Sequence, residues 1–237
     1  MWRPDNRILF VGIKTDKEGT EPQYTLLAIC GDTGYNSNPK SPALCGGYVI
    51  LNEIVKLVIA LWALSELFLS IFARARRGVD RVQDRGSFVT IYGGIIVGIA
   101  LAILLTSQKW AHINLNFYLL NSLALIFLLG GIILRAIAIL TLGRFFTANV
   151  AVRTGHRVIR QGPYRWMRHP SYTGSLITFF GLGLSFANWL SLAELLILML
   201  VVYIYRMNVE EKVLISSLGE EYLDYSRHTK RLIPGVY

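Results

Sequence analysis

Two groups of ionisable and polar side chains stand out in the C-terminal part of the chain. The first is the run Arg168-His169-Pro170-Ser171-Tyr172-Thr173-Gly174, and the second is Arg206 with Glu210 and Glu211. Each group flanks an apolar segment that is suited to a membrane. Because an ionisable group in or beside a bilayer is energetically costly, it usually has a functional role. Both groups are therefore candidates for a site.

The spacing within each group indicates what it could bind. Arg206 and Glu210 are four residues apart and share one helix face, which allows either a salt bridge between them or a common site. Glu211 is turned away by about 100°. In the first group, Pro170 suits the first turn of a helix and biases His169 away from helical geometry. The N–H groups of such a helix start favour a carboxylate or another anion.

Long apolar segments must position these groups. Of 237 residues, 53% are hydrophobic and 16% are charged, which is typical of an integral membrane protein. Since a helix needs about 20 residues to span a bilayer, we expect an all-α, polytopic bundle with about five transmembrane helices. The predicted spans are Val55–Ala73, Phe88–Thr106, Phe117–Leu142, Tyr172–Ala187 and Trp189–Tyr205.

Basic side chains beside the spans give the orientation. Arginines concentrate after the first span and between the third and fourth, whereas the loop between the second and third carries only Lys109 and His112. The positive-inside rule places the Arg-rich segments in the cytoplasm. We therefore predict a multi-pass protein of the cell membrane, with an external N-terminus and a cytoplasmic C-terminus. Both polar groups then face the cytoplasm.

The net charge of +9 has the same explanation. In a soluble chain such an excess would suggest nucleic-acid binding, but here the basic residues lie beside apolar segments, where they contact anionic lipid. We expect membrane lipids as partners and no nucleic acid. Cysteine and histidine show no metal-ligand spacing, so no metal is expected. The oligomeric state stays open.

The chain divides into three predicted regions. Residues 1–47 form an N-terminal extension, rich in Asn, Gly, Pro and Asp, that we expect to be poorly structured. Residues 48–142 hold the first three spans. Residues 143–237 hold a connector, a helical hairpin and a C-terminal tail. Within the connector, Gly and Pro between residues 155 and 164 predict a shaped loop rather than one helix.

Glu66 and Arg135 are charged residues that lie inside predicted spans. Glu66 and Arg135 are at a similar depth, roughly 10–12 Å from the cytoplasmic helix ends, by the rise of 1.5 Å per residue. One interpretation is that they form an ion pair. The other is that Arg135 reaches the interface while Glu66 is protonated.

Four motifs together resemble one family. The segment His156–Tyr164, the run Arg168–Tyr172, the pair Arg206 and Glu210, and the tail Gly219-Glu220-Glu221-Tyr222…Tyr225 occur in this order around a short helical hairpin. In this they resemble the isoprenylcysteine carboxyl methyltransferases and their bacterial and archaeal relatives. Each motif alone is weak, whereas the ordered combination is fairly specific.

The resemblance implies an integral-membrane methyltransferase that uses S-adenosylmethionine. It implies a cytosolic cofactor pocket formed by the connector between spans three and four and the C-terminal tail. The substrate would be an isoprenylcysteine-like or other lipophilic carboxylate. Arg206 and Glu210 would be the catalytic residues, with Arg206 holding the substrate carboxylate. The implied cofactor-binding residues are Asn149, His156, Arg157, Val158, Ile159, Tyr164, His169, Pro170, Ser171, Tyr172 and Glu210.

Other functions stay open at this point. A related methyltransferase could modify a phospholipid amine or a thiol, and it would need His169 or Glu211 as a base. A membrane sterol-type reductase using NADPH also has an Arg-His-Pro-x-Tyr-like segment, although this chain has no Gly-rich dinucleotide loop. A non-catalytic membrane scaffold is the remaining alternative.

Overall fold

The computed structural model describes residues 42–75, 82–84, 86–146, 150–151 and 158–235. The chain divides into two compact units, residues 1–53 and 54–237, and the site lies in the second. The helices are α1 (Pro42–Ala75), α2 (Gly86–Leu105), α3 (Phe117–Leu142), α4 (Pro170–Ser185), α5 (Trp189–Leu218) and α6 (Glu220–His228). Short 3-10 helices occupy Lys109–Ala111, Gly143–Phe145 and Gly162–Arg165. Most of the predicted extension 1–47 falls outside the described residues, although α1 begins within it.

The apolar segments lie in helices, as the sequence predicts. By length and composition, α3 and α5 could each cross a membrane, and α2 contributes the shorter apolar stretch Val89–Leu105. The total of five spans and the region boundary at residue 142 stay predictions. The fold is not purely helical, because β1 (Val82–Asp84) pairs antiparallel with β2 (Val150–Ala151). This ladder joins two connectors whose short extended segments meet.

Helices α3 and α4 pack backbone to backbone. A Cβ added at Gly131 would lie 2.4 Å from Thr178 Oγ1 and 2.5 Å from the Gly174 carbonyl oxygen, and one added at Gly181 would lie 2.6 Å from Leu128 N. Such close approach is how helices associate in membranes, where lipid contacts are as apolar as side-chain contacts. The glycines therefore fix the position of α4 against α3.

Helix α5 packs against α2 and turns back sharply from α4. A Cβ at Gly94 would lie 2.9 Å from Val202 Cγ2. At the turn, Ala187 has a positive φ of 51° and the Asn188 side chain accepts hydrogen bonds from Leu190 N and Ser191 N, at 2.9 and 3.2 Å. This capping satisfies the first N–H groups of α5 and allows a tight hairpin. The start of α4 and the C-terminal half of α5 are thereby brought to the same end of the bundle.

The core and the outer faces have opposite environments. Inside, Trp62 meets Phe179 edge to face, with ring centroids 5.3 Å apart. Outside, large apolar side chains such as Ile96, Ile126 and Leu140 are 62–78% exposed. In water such a surface would aggregate, whereas in a bilayer it contacts lipid. The packing therefore fits a membrane bundle.

Candidate functional site

The Tyr172 hydroxyl joins the two predicted polar groups. Tyr172 lies in the first turn of α4, and its hydroxyl donates to Glu210 Oε2 at 2.8 Å. The same hydroxyl accepts from Arg206 Nε at 3.3 Å. The predicted i, i+4 neighbours on α5 thus meet at a third residue from another helix. The side chain of Arg206 is buried, and Glu210 is half-buried.

His169 also belongs to this cluster. Its ring stacks on the Tyr172 ring, with centroids 5.5 Å apart, and Tyr172 stacks in turn on Tyr203 at 5.0 Å. His169 and Arg206 therefore lie near each other, because both contact Tyr172. The stack holds the Tyr172 ring in place, so that its hydroxyl is directed at α5.

Glu211 is the centre of a second, charged cluster. Its Oε1 accepts from Arg168 Nε at 2.9 Å and lies 3.1 Å from His169 Nε2. Its Oε2 accepts from Arg231 Nη2 at 2.6 Å and from Arg231 Nε at 3.1 Å. A buried carboxylate with three such partners is satisfied and held rigidly. The sequence singles out Arg168, His169 and Glu211, but it does not predict that Arg168 and Arg231 converge on Glu211.

The C-terminal tail lies along the segment that precedes α4. Arg168 N donates to Lys230 O at 2.7 Å and His169 N donates to Arg231 O at 3.0 Å, as in a short parallel bridge. Thr173 Oγ1 donates to Leu232 O at 2.9 Å. These bonds attach the last described residues to the helix start that carries His169 and Tyr172.

Helix α6 covers the connector. The Tyr225 hydroxyl donates to the Tyr164 carbonyl oxygen at 2.7 Å, and Tyr222 and Tyr225 meet edge to face. Burial raises the pKa of Tyr225 to about 12 and also raises the pKa values of Tyr164 and Tyr222, so all three are neutral near pH 7. Tyr222 and Tyr225 therefore form an aromatic pair, and Tyr225 contacts the connector.

The first described connector residues are also bound to α6. Val158 N donates to Glu221 Oε1 at 3.1 Å, and Arg160 pairs with Asp224 at 2.8 Å. Ile159, between them, is half-buried. The predicted cofactor-binding residues Asn149, His156 and Arg157 lie outside the described residues.

The start of α4 offers fewer donors than the sequence predicts. Pro170 has no N–H group, and the N–H groups of Tyr172 and Thr173 donate to the His169 carbonyl oxygen at 3.0 and 3.1 Å. The Ser171 hydroxyl accepts a hydrogen bond from Arg135 at 3.2 Å, so this side chain contacts α3. The Tyr172 hydroxyl contacts α5 instead. Among the predicted residues in the described part of the chain, Tyr172, Glu210, Arg206 and His169 form one cluster. Ser171 belongs to another.

The chemistry of the clustered side chains is specific. A buried guanidinium orients a carboxylate, and a nearby carboxylate stabilises a cation. The described residues contain no cluster of three or more His, Cys, Asp or Glu that could hold a metal ion. The cluster therefore places a carboxylate and a guanidinium on either side of one hydroxyl group.

Comparison with known proteins agrees with the resemblance found in the sequence. Residues 122–216 match the model of the isoprenylcysteine carboxyl methyltransferase family. The Arabidopsis thaliana protein-S-isoprenylcysteine O-methyltransferase B is 31% identical over 119 residues, which cover 49% of this chain and 60% of the relative. The Saccharomyces cerevisiae protein-S-isoprenylcysteine O-methyltransferase is 34% identical over 104 residues, covering 43% and 44%. The chain thus spans less than two thirds of these relatives, and within that region the resemblance is confirmed.

The fold has a solved counterpart. A structure described as the eukaryotic intramembrane Ras methyltransferase ICMT, without a monobody, superposes with a TM-score of 0.55. The match covers 80% of this chain and 68% of the other at 22% identity. At that identity the similarity concerns the fold alone, and it agrees with the predicted helical bundle.

Proposed function

We propose that the chain is an integral-membrane methyltransferase that uses S-adenosylmethionine. The match of residues 122–216 to the isoprenylcysteine carboxyl methyltransferase family supports this proposal. The substrate is an isoprenylcysteine-like or other lipophilic carboxylate, and the reaction is carboxyl O-methylation. The names of the relatives support this activity. The active site and the C-terminus lie on the cytoplasmic side of the cell membrane, as the distribution of arginines predicts.

The contacts of the Tyr172 hydroxyl carry the proposal. Arg206 Nε and Glu210 Oε2 lie 3.3 and 2.8 Å from it, so a cation and an anion flank one oxygen atom. Carboxyl methylation needs this charge pattern, because an anionic acceptor must meet a cationic donor. Arg206 would orient the acceptor carboxylate, and Glu210 would stabilise the positive charge of the sulfonium. The residues present therefore fit S-adenosylmethionine.

The chain's own residues act by positioning. When bound, S-adenosylmethionine supplies a methyl group on a sulfonium. The acceptor carboxylate is already ionised at pH 7, so the site needs no general base. With substrate and cofactor bound, Arg206 and Tyr172 would orient the acceptor for transfer by proximity, and the bundle would exclude water. In the described site, His169 Nε2 lies 3.1 Å from Glu211 Oε1, and the proposed carboxyl methylation gives neither residue the role of a base.

The connector and the tail form the remainder of the cofactor pocket in this proposal. Val158, Ile159 and Tyr164 line it from the connector, and α6 covers them through Glu221 and Tyr225. As the family resemblance implies, Asn149, His156 and Arg157 would contribute to the same pocket.

Binding and label transfer test the proposal together. We expect protein purified in detergent to bind radiolabelled S-adenosylmethionine saturably and to transfer label to an N-acetylated S-prenyl cysteine. Saturable NADPH binding without S-adenosylmethionine binding would favour a reductase. Transfer of label to a phospholipid amine, with none to the carboxylate, would favour the related methyltransferase.

Site variants test the division of roles. Arg206→Lys should lose turnover and keep cofactor affinity, because Lys cannot replace the planar fork of Arg. Glu210→Gln should weaken cofactor affinity, since the sulfonium loses its counter-charge. Glu220→Gln is the matched control, because Glu220 is exposed at the start of α6. Equal loss of cofactor affinity in both site variants would contradict this division.

A further inference from the structure

Glu66 and Arg135 form a two-pronged ion pair between α1 and α3. Arg135 Nη2 donates to Glu66 Oε2 at 2.9 Å, and Arg135 Nε lies 2.8 Å from Glu66 Oε1. The two side chains are only 12% and 17% exposed. Of the two interpretations that the sequence left open, the ion pair is therefore correct. Glu66 lies outside the residues that match the family model.

The second arm of the Arg135 guanidinium reaches α4. Arg135 Nη1 donates to Ser175 Oγ at 2.6 Å and to Ser171 Oγ at 3.2 Å, and it lies 3.4 Å from the Ser171 carbonyl oxygen. These contacts cover the first two turns of α4. One guanidinium thus joins three helices, with Glu66 fixing its orientation.

Stability alone does not account for such a pair. Replacing a buried ion pair with apolar residues of similar volume is often neutral or stabilising, and charges within a membrane are costly. Glycine contacts already hold α4 against α3, at Gly131 and Gly174. The serine contacts add something different, since they fix the rotation and the axial position of the helix start. Ser171 directly precedes Tyr172, whose hydroxyl contacts Arg206 and Glu210.

We propose that Glu66 and Arg135 are positioning residues for the methyl transfer, acting through Ser171 and Ser175 to keep the Tyr172 hydroxyl between Arg206 and Glu210. The proposal rests on the function proposed above. Displacement of reacting groups by about 1 Å reduces a rate by about 100-fold. Loss of the pair therefore slows turnover through altered geometry at Tyr172.

Kinetics separates positioning from simple stabilisation. We expect Arg135→Gln to lower kcat about 10- to 100-fold, with a smaller change in the affinity for S-adenosylmethionine. Ser175→Ala removes one contact of Arg135, so its kcat should fall less than that of Arg135→Gln. Ser185→Ala is the matched control on α4, because its hydroxyl donates only within the helix, to the Leu182 carbonyl oxygen at 2.6 Å. It should keep the parent kcat.

A double variant covers the case in which a single variant unfolds. Glu66→Leu with Arg135→Met removes both charges and should keep the melting temperature near that of the parent. If the pair positions α4, kcat stays low in this variant although the bundle is stable. Parent-like kcat together with a parent-like melting temperature would overturn the proposal.

A spectroscopic readout makes the test independent of enzymatic activity. With 3-fluorotyrosine incorporated at Tyr172, we expect the ¹⁹F resonance to shift in Arg135→Gln and in the double variant, and to stay in place in Ser185→Ala. A resonance that is unchanged in the first two variants would overturn the proposal. If the parent transfers no methyl group to any carboxylate, the proposed function fails, while the fluorine shift still decides whether the pair positions Tyr172.

Discussion

Substitution of Glu211 by Gln tests whether the buried carboxylate attaches the C-terminal tail. In the structure Glu211 accepts from Arg168, His169 and Arg231, and its side chain is 10% exposed. The variant keeps the shape of the side chain but removes the negative charge that the guanidinium groups of Arg168 and Arg231 contact. We therefore expect the tail to open more often. Opening breaks the backbone hydrogen bonds from Arg168 N to Lys230 O and from His169 N to Arg231 O.

The magnitude follows from burial. Breaking a buried ion pair by removing one partner costs about 3–5 kcal/mol. The lower limit applies here, because Arg231 is 25% exposed and Gln keeps one acceptor oxygen. At about 1.4 kcal/mol for each tenfold change, about 3 kcal/mol corresponds to roughly 100-fold more frequent opening. The opening is local, so the glycine-packed helices should keep their stability.

Hydrogen–deuterium exchange in detergent measures this effect. Peptides that contain Arg168 and His169 should exchange about 100-fold faster in Glu211→Gln than in the parent. Asp224→Asn is the control, since it also breaks an ion pair of the tail, with Arg160, but both side chains there are 48% exposed. An exposed pair contributes little. Equal acceleration in the two variants would refute the argument from burial, and so would unchanged exchange in Glu211→Gln.

Two further predictions concern packing and alkaline stability. Gly131→Ala should lower the free energy of unfolding by about 1–3 kcal/mol, because the new methyl group would overlap Thr178. Gly130→Ala is the control and should not lower it, because a Cβ at residue 130 would have no described atom within 4 Å. Thermal melting of both variants measures the difference. Tyr225 has a pKa raised to about 12 by burial, so the folded state keeps its proton while the unfolded state loses it above about pH 10. Its contribution to stability therefore decreases between these pH values, and Tyr225→Phe should flatten the decline in melting temperature measured across that range. An equally steep decline in the variant would contradict this prediction.

Several features of the fold follow from the sequence alone. Apolar segments predict the helices, because a helix in lipid must satisfy its own backbone hydrogen bonds. Pro170 after His169 predicts the start of α4, and the gap at Asn188 predicts the hairpin. The two-stranded ladder between residues 82–84 and 150–151 is not predictable in this way, since three-residue and two-residue strands carry no periodic pattern.

The candidate site is only partly readable from the sequence. The order of motifs identifies Tyr172, Arg206 and Glu210 as relevant residues, and the spacing of Arg206 and Glu210 places both on one helix face. The spacing does not predict that a tyrosine from another helix joins them. It also does not predict that Glu211, one position further along, faces the C-terminal tail.

The sequence by itself determined the class of the protein, the approximate helices and the residue types that could do chemistry, because hydrophobicity, charge and helix breaking are local properties. Only the tertiary structure decided which of those residues meet. Contacts such as Glu66 with Arg135, or Arg231 with Glu211, join residues on different helices or segments. They depend on the packing of helices through Gly131, Gly174 and Gly181, and a distance in space between two helices is not encoded in their separation along the chain.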